Sequence, residues 1–244
     1  MARVTILHTS DVHNKLTSDL AAKLHDLKAA HPDSLMFDCG DAIWAGNVYW
    51  RPGGEPVLDL MNSVPYDAMC MGNREFHFSR VGMKAKLSRA RFPVLSANLR
   101  STIGPLPFQG RDGVGLFDRA GLRLAVFGLS VPCITERMLA KKVSDFYFEQ
   151  PADTASELVP QLRDNDLVIA LTHIGINKDR ALAEAVPGID IILGGHTHTE
   201  ADERVGDTTI LHSGHHAHFV RKVDVELDAG RVSVQSELIP LAKT

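Results

Sequence analysis

Apolar and polar positions along this chain alternate in short runs that predict strands and helices by turns. A run over 4–7 predicts a strand ending in T-S-D-V-H. Leu20, Leu24 and Leu27 then mark one helix face, with Thr17 or Ser18 as its N-cap. A second strand over 34–37 ends at D-C-G-D, and a short helix over 56–61 has proline early in it. A third strand over 68–71 ends in G-N-R-E. Ser79 caps a helix through Met83 and Leu87, and 93–96 reads as a fourth short strand.

The middle of the chain changes character. Runs over 114–119 and 123–129 flank Ala120-Gly121 and read as a β-hairpin. Residues 151–164 are helical, opened by Pro151 and disturbed by Pro160. A strand over 166–172 ends in T-H-I-G, and Asn177 caps a helix that Pro187-Gly188 stops. A strand over 190–193 ends in G-G-H-T-H, and three β runs follow over 208–212, 220–227 and 232–239. The order βαβα, hairpin, βαβα and meander predicts a two-sheet core covered by helices. Only 101–113, rich in glycine and proline, reads as a loose surface loop, so 1–244 reads as one domain. The helical crossovers imply partly parallel strands, whose carboxyl ends are where such folds place ligands.

Composition narrows the classes. Hydrophobic residues make up 44% and charged residues 23%, which excludes a disordered chain or a coiled coil. Thirty acidic against 26 basic residues, without a long run of either sign, argue against stable nucleic-acid binding. Cys39, Cys70 and Cys133 are odd in number and lack C-x-x-C spacing, so they read as reduced thiols of a cytoplasmic protein. The N-terminus enters a strand without a leader-like segment, and no apolar stretch approaches the ~20 residues of a membrane span.

Histidine is the informative residue. There are 12, and those at 173, 196 and 198 follow apolar strands. Five strand ends carry metal-type side chains: Asp11 with His13, Asp41, Asn73, His173, and His196 with His198. Asp-x-His and His-x-His spacing in extended chain points both side chains the same way. Seven nitrogen and oxygen donors exceed what one tetrahedral ion takes and match two ions sharing a carboxylate. The lack of thiolates favours Mn, Fe, Co, Ni or Zn in an open site over a structural zinc. Two divalent ions against two aspartates leave positive charge, which invites an anionic substrate such as a small phosphorylated molecule.

The motifs I-L-H-T-S-D-V-H, D-C-G-D, G-N-R-E-F, T-H-I-G and G-G-H-T-H resemble, in order and spacing, those of the calcineurin-like metallophosphoesterases. The likeness is nearest to the catalytic domain of bacterial 5′-nucleotidases and 2′,3′-cyclic phosphodiesterases, the S-A-N-L run at 96–99 included, and it covers about 3–227. The resemblance implies an α/β fold, a four-layer αββα sandwich of two mixed sheets flanked by helices. It implies a first metal held by Asp11, His13 and His198, a second by Asn73, His173 and His196, and Asp41 bridging them. It also implies hydrolysis of phosphodiesters, phosphoanhydrides or activated phosphomonoesters by a metal-bound hydroxide, with nucleotides as candidate substrates.

Two departures qualify that expectation. The family motif G-N-H-E places a proton-donating histidine where this chain has Arg74, and arginine binds phosphate without donating a proton. His77 stands three residues on, as a displaced acid or as a packed side chain. The chain also reads as lacking the C-terminal nucleotidase domain that holds the base. A weakly active or inactive metal-containing binding module on the same scaffold is the alternative.

The remaining candidates have plainer readings. Asp38 reads as a turn or supporting residue, Cys39 as a small buried side chain and His8 as a hydrogen-bonded core histidine; His25 and His31 read as solvent-facing. His212, His215, His216 and His218 read either as a surface loop or as contacts reaching the cleft. Trp44, Tyr49 and Trp50, with Arg51, offer an aromatic wall or a homo-oligomer surface, as does the edge of the C-terminal β run.

Overall fold

The computed structural model describes residues 2–108 and 113–241. In the first sheet β1 (Ala2–Thr9), β2 (Leu35–Asp38), β3 (Ala68–Cys70) and β4 (Val94–Leu95) run parallel. The hairpin β13 (Phe219–Asp228) and β14 (Arg231–Pro240) extends it on the far side of β1, with β13 antiparallel to β1. In the second sheet β7 (Leu122–Ser130), β9 (Leu167–His173), β10 (Ile191–Gly194) and β12 (Thr208–Ser213) run parallel. Antiparallel edges β6 (Val114–Arg119) and β11 (Glu200–Val205) close it.

Period-two alternation explains how the sheets stack. Leu35 and Phe37 face the second sheet, while Met36 between them faces the helices. Likewise Leu167, Ile169 and Leu171 face the first sheet, and Val168 and Ala170 face outward. Both faces of β9 are therefore apolar, as a central parallel strand requires. Helices α1 (Ser18–Ala30), α2 (Val57–Ser63) and α3 (Arg80–Leu87) cover the first sheet through Leu24, Leu58 and Met83. Helices α4 (Pro151–Leu162) and α5 (Ile176–Ala185) cover the second through Val159 and Leu182. The result is the expected four-layer αββα sandwich.

The differences from expectation have local causes. Gly175, at φ +89°, occupies the N-cap of α5, and Asn177 sits inside the helix, where its side chain accepts from Arg180 at 3.0 Å. Strand β11, E-A-D-E-R-V, carries too many charges to look like a strand, yet an exposed edge tolerates them. A small sheet of β5 (Leu99–Ser101) and β8 (Phe146–Phe148) was not foreseen. Pro160 is exposed near the end of α4, so the helix passes through it. The loop reading of 101–113 falls partly on 109–112, which lie outside the described residues. No described helix is long and apolar enough to cross a membrane.

Candidate metal centre

The turn after β1 is zipped onto the turn after β2. Asp11 N–H donates to the Gly40 carbonyl at 3.0 Å, His13 N–H to Asp41 at 2.9 Å and Asn14 N–H to Ala42 at 2.8 Å. A Cβ on Gly40 would stand 2.5 Å from the backbone nitrogen of Gly72, so only glycine lets the D-C-G-D and G-N-R-E turns approach this closely. Asp11, His13, Asp41, His196 and His198 adopt left-handed φ of +50°, +48°, +54°, +81° and +56°. Such conformations are held at a cost of about 1–3 kcal/mol each and cluster where geometry serves function.

These turns bring all seven expected side chains together. The imidazole Nε2 atoms of His13 and His198 lie 2.8 Å apart, and both face Asp11 Oδ1, at 3.7 and 3.5 Å. Asp11, Asp41 and His173 make a second donor group, with Asp41 Oδ1 3.5 Å from His173 Nε2. Around that same Nε2 stand Asn73 Oδ1 at 3.3 Å and His196 Nδ1 at 3.2 Å. Asp11 belongs to both donor groups and Asp41 to one of them.

The donor set fits divalent cations. Asp11 Oδ1 is buried without a hydrogen-bond partner among the described residues, although imidazole nitrogens converge on it. A buried carboxylate oxygen in that state is poorly compensated by protein alone and well compensated by a cation. Asp11 Oδ2 is occupied by the His196 N–H at 2.9 Å, which fixes the carboxylate. His173 Nδ1 donates to the Cys39 carbonyl at 2.6 Å, which turns Nε2 toward the donors.

Without a cation, charge is shared unevenly among the donors, and His173 is held as the charged partner of Asp41. Burial raises Asp11 to about 6. Burial also opposes ionisation of Asp41, but the charge and hydrogen bond of His173 and the Arg74 N–H bring it to about 2. Burial opposes charge on His173 too, and the Asp41 carboxylate overcomes this to lift it to about 9. Burial lowers His13 and His196 to about 4, with Arg74 and His173 respectively adding repulsion, so both offer neutral imidazole at pH 7.

Two supporting residues escaped the sequence reading. The fully buried Glu75 carboxylate accepts N–H bonds from Asp41, Ala42, Ile43 and Gly72 at 2.8–3.2 Å. The fully buried Lys86 ammonium donates to the carbonyls of Gly46, Arg74 and Phe76 at 2.6–2.7 Å. The available signals were a glutamate directly after G-N-R and a lysine on the Met83–Leu87 face of α3.

The other candidates separate clearly. Arg74 donates its backbone N–H to Asp41 Oδ1 at 2.7 Å, and its guanidinium lies beside Asp41 Oδ2 at 3.7 Å and bonds the Trp44 carbonyl at 2.9 Å. His77 is buried, with Nε2 3.3 Å from the Val48 carbonyl and Nδ1 accepting the Ser79 N–H at 3.0 Å. Asp38 accepts from Thr9 at 2.7 Å and from Gly40 N–H at 2.9 Å, and Cys39 is buried with Sγ 2.9 Å from the Leu193 carbonyl. His212 is no loop residue: it is fully buried and its Nε2 meets Asp179 at 2.8 Å. The His215 ring stacks on His198 at 4.7 Å, and His216 meets His13 edge-on at 5.5 Å. His218 is exposed beside them. His8 is fully buried, but neither ring nitrogen has a hydrogen-bond partner among the described residues, contrary to expectation. His25 is exposed and His31 half-buried.

Comparison with known proteins places this geometry. The family profile described as calcineurin-like phosphoesterase matches residues 4–200. The trifunctional nucleotide phosphoesterase protein YfkN of Bacillus subtilis is 31% identical over 268 residues, covering 92% of this chain and 18% of that protein. The 5′-nucleotidase of Bos taurus is 30% identical over 220 residues, covering 80% of this chain and 38% of that protein. The crystal structure of a 5′-nucleotidase precursor from Thermus thermophilus shares the fold, with TM-score 0.79 at 22% identity, over 98% of this chain and 54% of that one. The chain thus spans well under half the length of both curated relatives.

Proposed function

Because this chain belongs to the calcineurin-like phosphoesterase family, we propose that it is a phosphoesterase that depends on two divalent metal ions and acts on small phosphodiesters, phosphoanhydrides or activated phosphomonoesters, nucleotides among them. The observation that carries this reading is Asp11 Oδ1, buried and unpaired among the described residues between the nitrogens of His13 and His198. Asp11, His13 and His198 would hold one cation, Asn73, His173 and His196 the other, with Asp41 between them. When bound, divalent cations acidify a coordinated water and offset phosphoryl charge.

The chain's own residues do the rest. Glu75 keeps the Asp41 turn in place through four backbone N–H groups. Cys39 fixes the His173 ring through its carbonyl. Arg74, a third exposed and beside Asp41, offers a forked pair of N–H donors to phosphate oxygens. His77 has both ring nitrogens engaged with Val48 and Ser79, which favours a supporting role over proton donation. With no proton donor at position 74, leaving groups that depart as stable anions are the preferred substrates.

The shared core between the two sheets supports a single domain over 1–244. The buried thiols of Cys39 and Cys70, both free, support a cytoplasmic setting. Manganese is the metal to try first. Purified protein with Mn²⁺ is expected to hydrolyse p-nitrophenyl phosphate or its bis-ester, and EDTA or Asp41→Asn to abolish this. Full metal occupancy without turnover on a broad phosphate panel would instead favour the binding-module reading.

A further inference from the structure

The loop that leaves Asp41 is held far more firmly than its surface position requires. Ala42, Ile43 and Ala45 are fully buried. Three donors then grip its carbonyls: Arg74 takes Trp44, the buried Lys86 ammonium takes Gly46, and His77 takes Val48, at 2.9, 2.7 and 3.3 Å. On this fixed backbone the large side chains point outward, with Trp44 49%, Val48 75% and Tyr49 51% exposed. Trp44 and Tyr49 meet edge to face at 5.3 Å, and the Arg51 guanidinium lies 5.1 Å from the Trp44 ring centre. Arg51 is drawn toward the buried Glu55 carboxylate at 3.9 Å.

An exposed indole gains nothing from such fixation in folding. It gains in binding, because a platform already ordered loses little conformational freedom when a ligand stacks on it. The position is also telling. One guanidinium, that of Arg74, lies beside the Asp41 carboxylate and bonds the Trp44 carbonyl, so the backbone that carries the platform borders the metal centre. A phosphate at the centre leaves its alcohol portion to extend outward, and the sugar of a nucleotide spans the interval between phosphate and base. Arg51 and Arg74 give the surroundings the positive charge that suits an anionic ligand with a flat π face.

We propose that Trp44, flanked by Tyr49 and Arg51, is a stacking platform for the heteroaromatic base of a nucleoside phosphate whose phosphoryl group sits at the metal centre. This rests on the phosphoesterase reading, so the test separates the two. The chain holds two tryptophans, Trp44 and Trp50; in the Trp50→Phe variant, emission reports Trp44 alone. Adenosine should quench it saturably and ribose should not, with no phosphoryl chemistry involved. In kinetics, Trp44→Leu should raise KM for adenosine 5′-monophosphate roughly tenfold, the size of one lost base–aromatic stack, and leave KM for ribose 5-phosphate within about twofold. Trp44→Phe should recover most of the loss. Saturable quenching with no hydrolysis of either ester or of p-nitrophenyl phosphate and its bis-ester sinks the phosphoesterase reading and leaves the platform standing. Absent quenching, or an equal rise in KM for both esters, overturns the platform, as does a Trp44-dependent dimer that ignores adenosine.

Discussion

One oxygen of the Glu75 carboxylate accepts the backbone N–H of Asp41 at 2.8 Å while also taking that of Gly72 at 2.9 Å. The other oxygen takes Ala42 and Ile43 at 3.0 and 3.2 Å. Glu75 thereby acts as the clasp between the turns after β2 and β3, and through Asp41 it sets one wall of the proposed centre.

Glu75→Gln puts an amide group against backbone donors that need an acceptor. Bonds to a buried charged group contribute about 1.5–3 kcal/mol each, so unfolding free energy is expected to fall by roughly 2–4 kcal/mol. Divalent-metal affinity should weaken roughly 10–100-fold, as when supports behind metal ligands are lost. Urea denaturation and titration calorimetry with Mn²⁺ check the two effects. Wild-type behaviour in both would show that the clasp is dispensable.

Cation binding should stabilise the folded chain directly. A ligand at about 100 times its Kd adds roughly 2.7 kcal/mol. For a chain of this size that corresponds to a rise in Tm of about 5–10 °C. Asp41→Asn, which alters the carboxylate proposed to lie between the two cations, should abolish most of the rise. A variant that keeps the full shift would mean that the ions bind elsewhere.

The fold was legible because its central strands are short apolar runs whose ends carry turn residues. Each of the seven expected donors lies at the end of such a run or within a few residues of it, which is why the sequence suggested them as a group. What stayed hidden depends on contacts between distant turns. Glu75 looks like any acid of a surface turn until Gly40 and Gly72 let two backbones approach and present four N–H groups to it. Lys86 looks like a solvated lysine of α3 until three carbonyls surround it. β11 was missed because its charges suit an edge, and His8 because burial in a core does not guarantee it a partner.

Lys86 provides a test at alkaline pH. Burial lowers its pKa from 10.5 to about 8. Between those values the unfolded chain binds a proton that the folded chain does not, so stability gains from this group as pH rises. The penalty on the buried charge is fully felt below about pH 8 and relieved toward 10.5. Lys86→Met lacks this term and leaves three carbonyls unpaired, at about 1–3 kcal/mol for each. The urea midpoint of wild type should therefore exceed that of Lys86→Met, and the gap should widen from pH 7 to 10. A gap that narrows over that range would contradict the sign.

Position 74 decides which leaving groups the centre can serve. The Arg74 backbone N–H is bonded to Asp41 Oδ1, so any side chain there starts at the edge of the donor set. Arginine can bind a phosphate oxygen but holds its proton at neutral pH, whereas histidine titrates near 6.5. A positioned general acid contributes about 10²–10⁴-fold when the departing alkoxide needs a proton, and little when the leaving group is a stable anion. Arg74→His should therefore raise kcat for an alkyl ester such as glycerol phosphate by at least about tenfold. The same change should alter kcat for p-nitrophenyl phosphate less than about threefold and raise KM for both, because the guanidinium charge beside Asp41 is lost. The ratio of the two kcat changes is the diagnostic quantity, since both substrates share the metal centre and differ in their need for a proton. Equal changes would mean that Arg74 acts on phosphate binding alone and that proton supply does not limit this site.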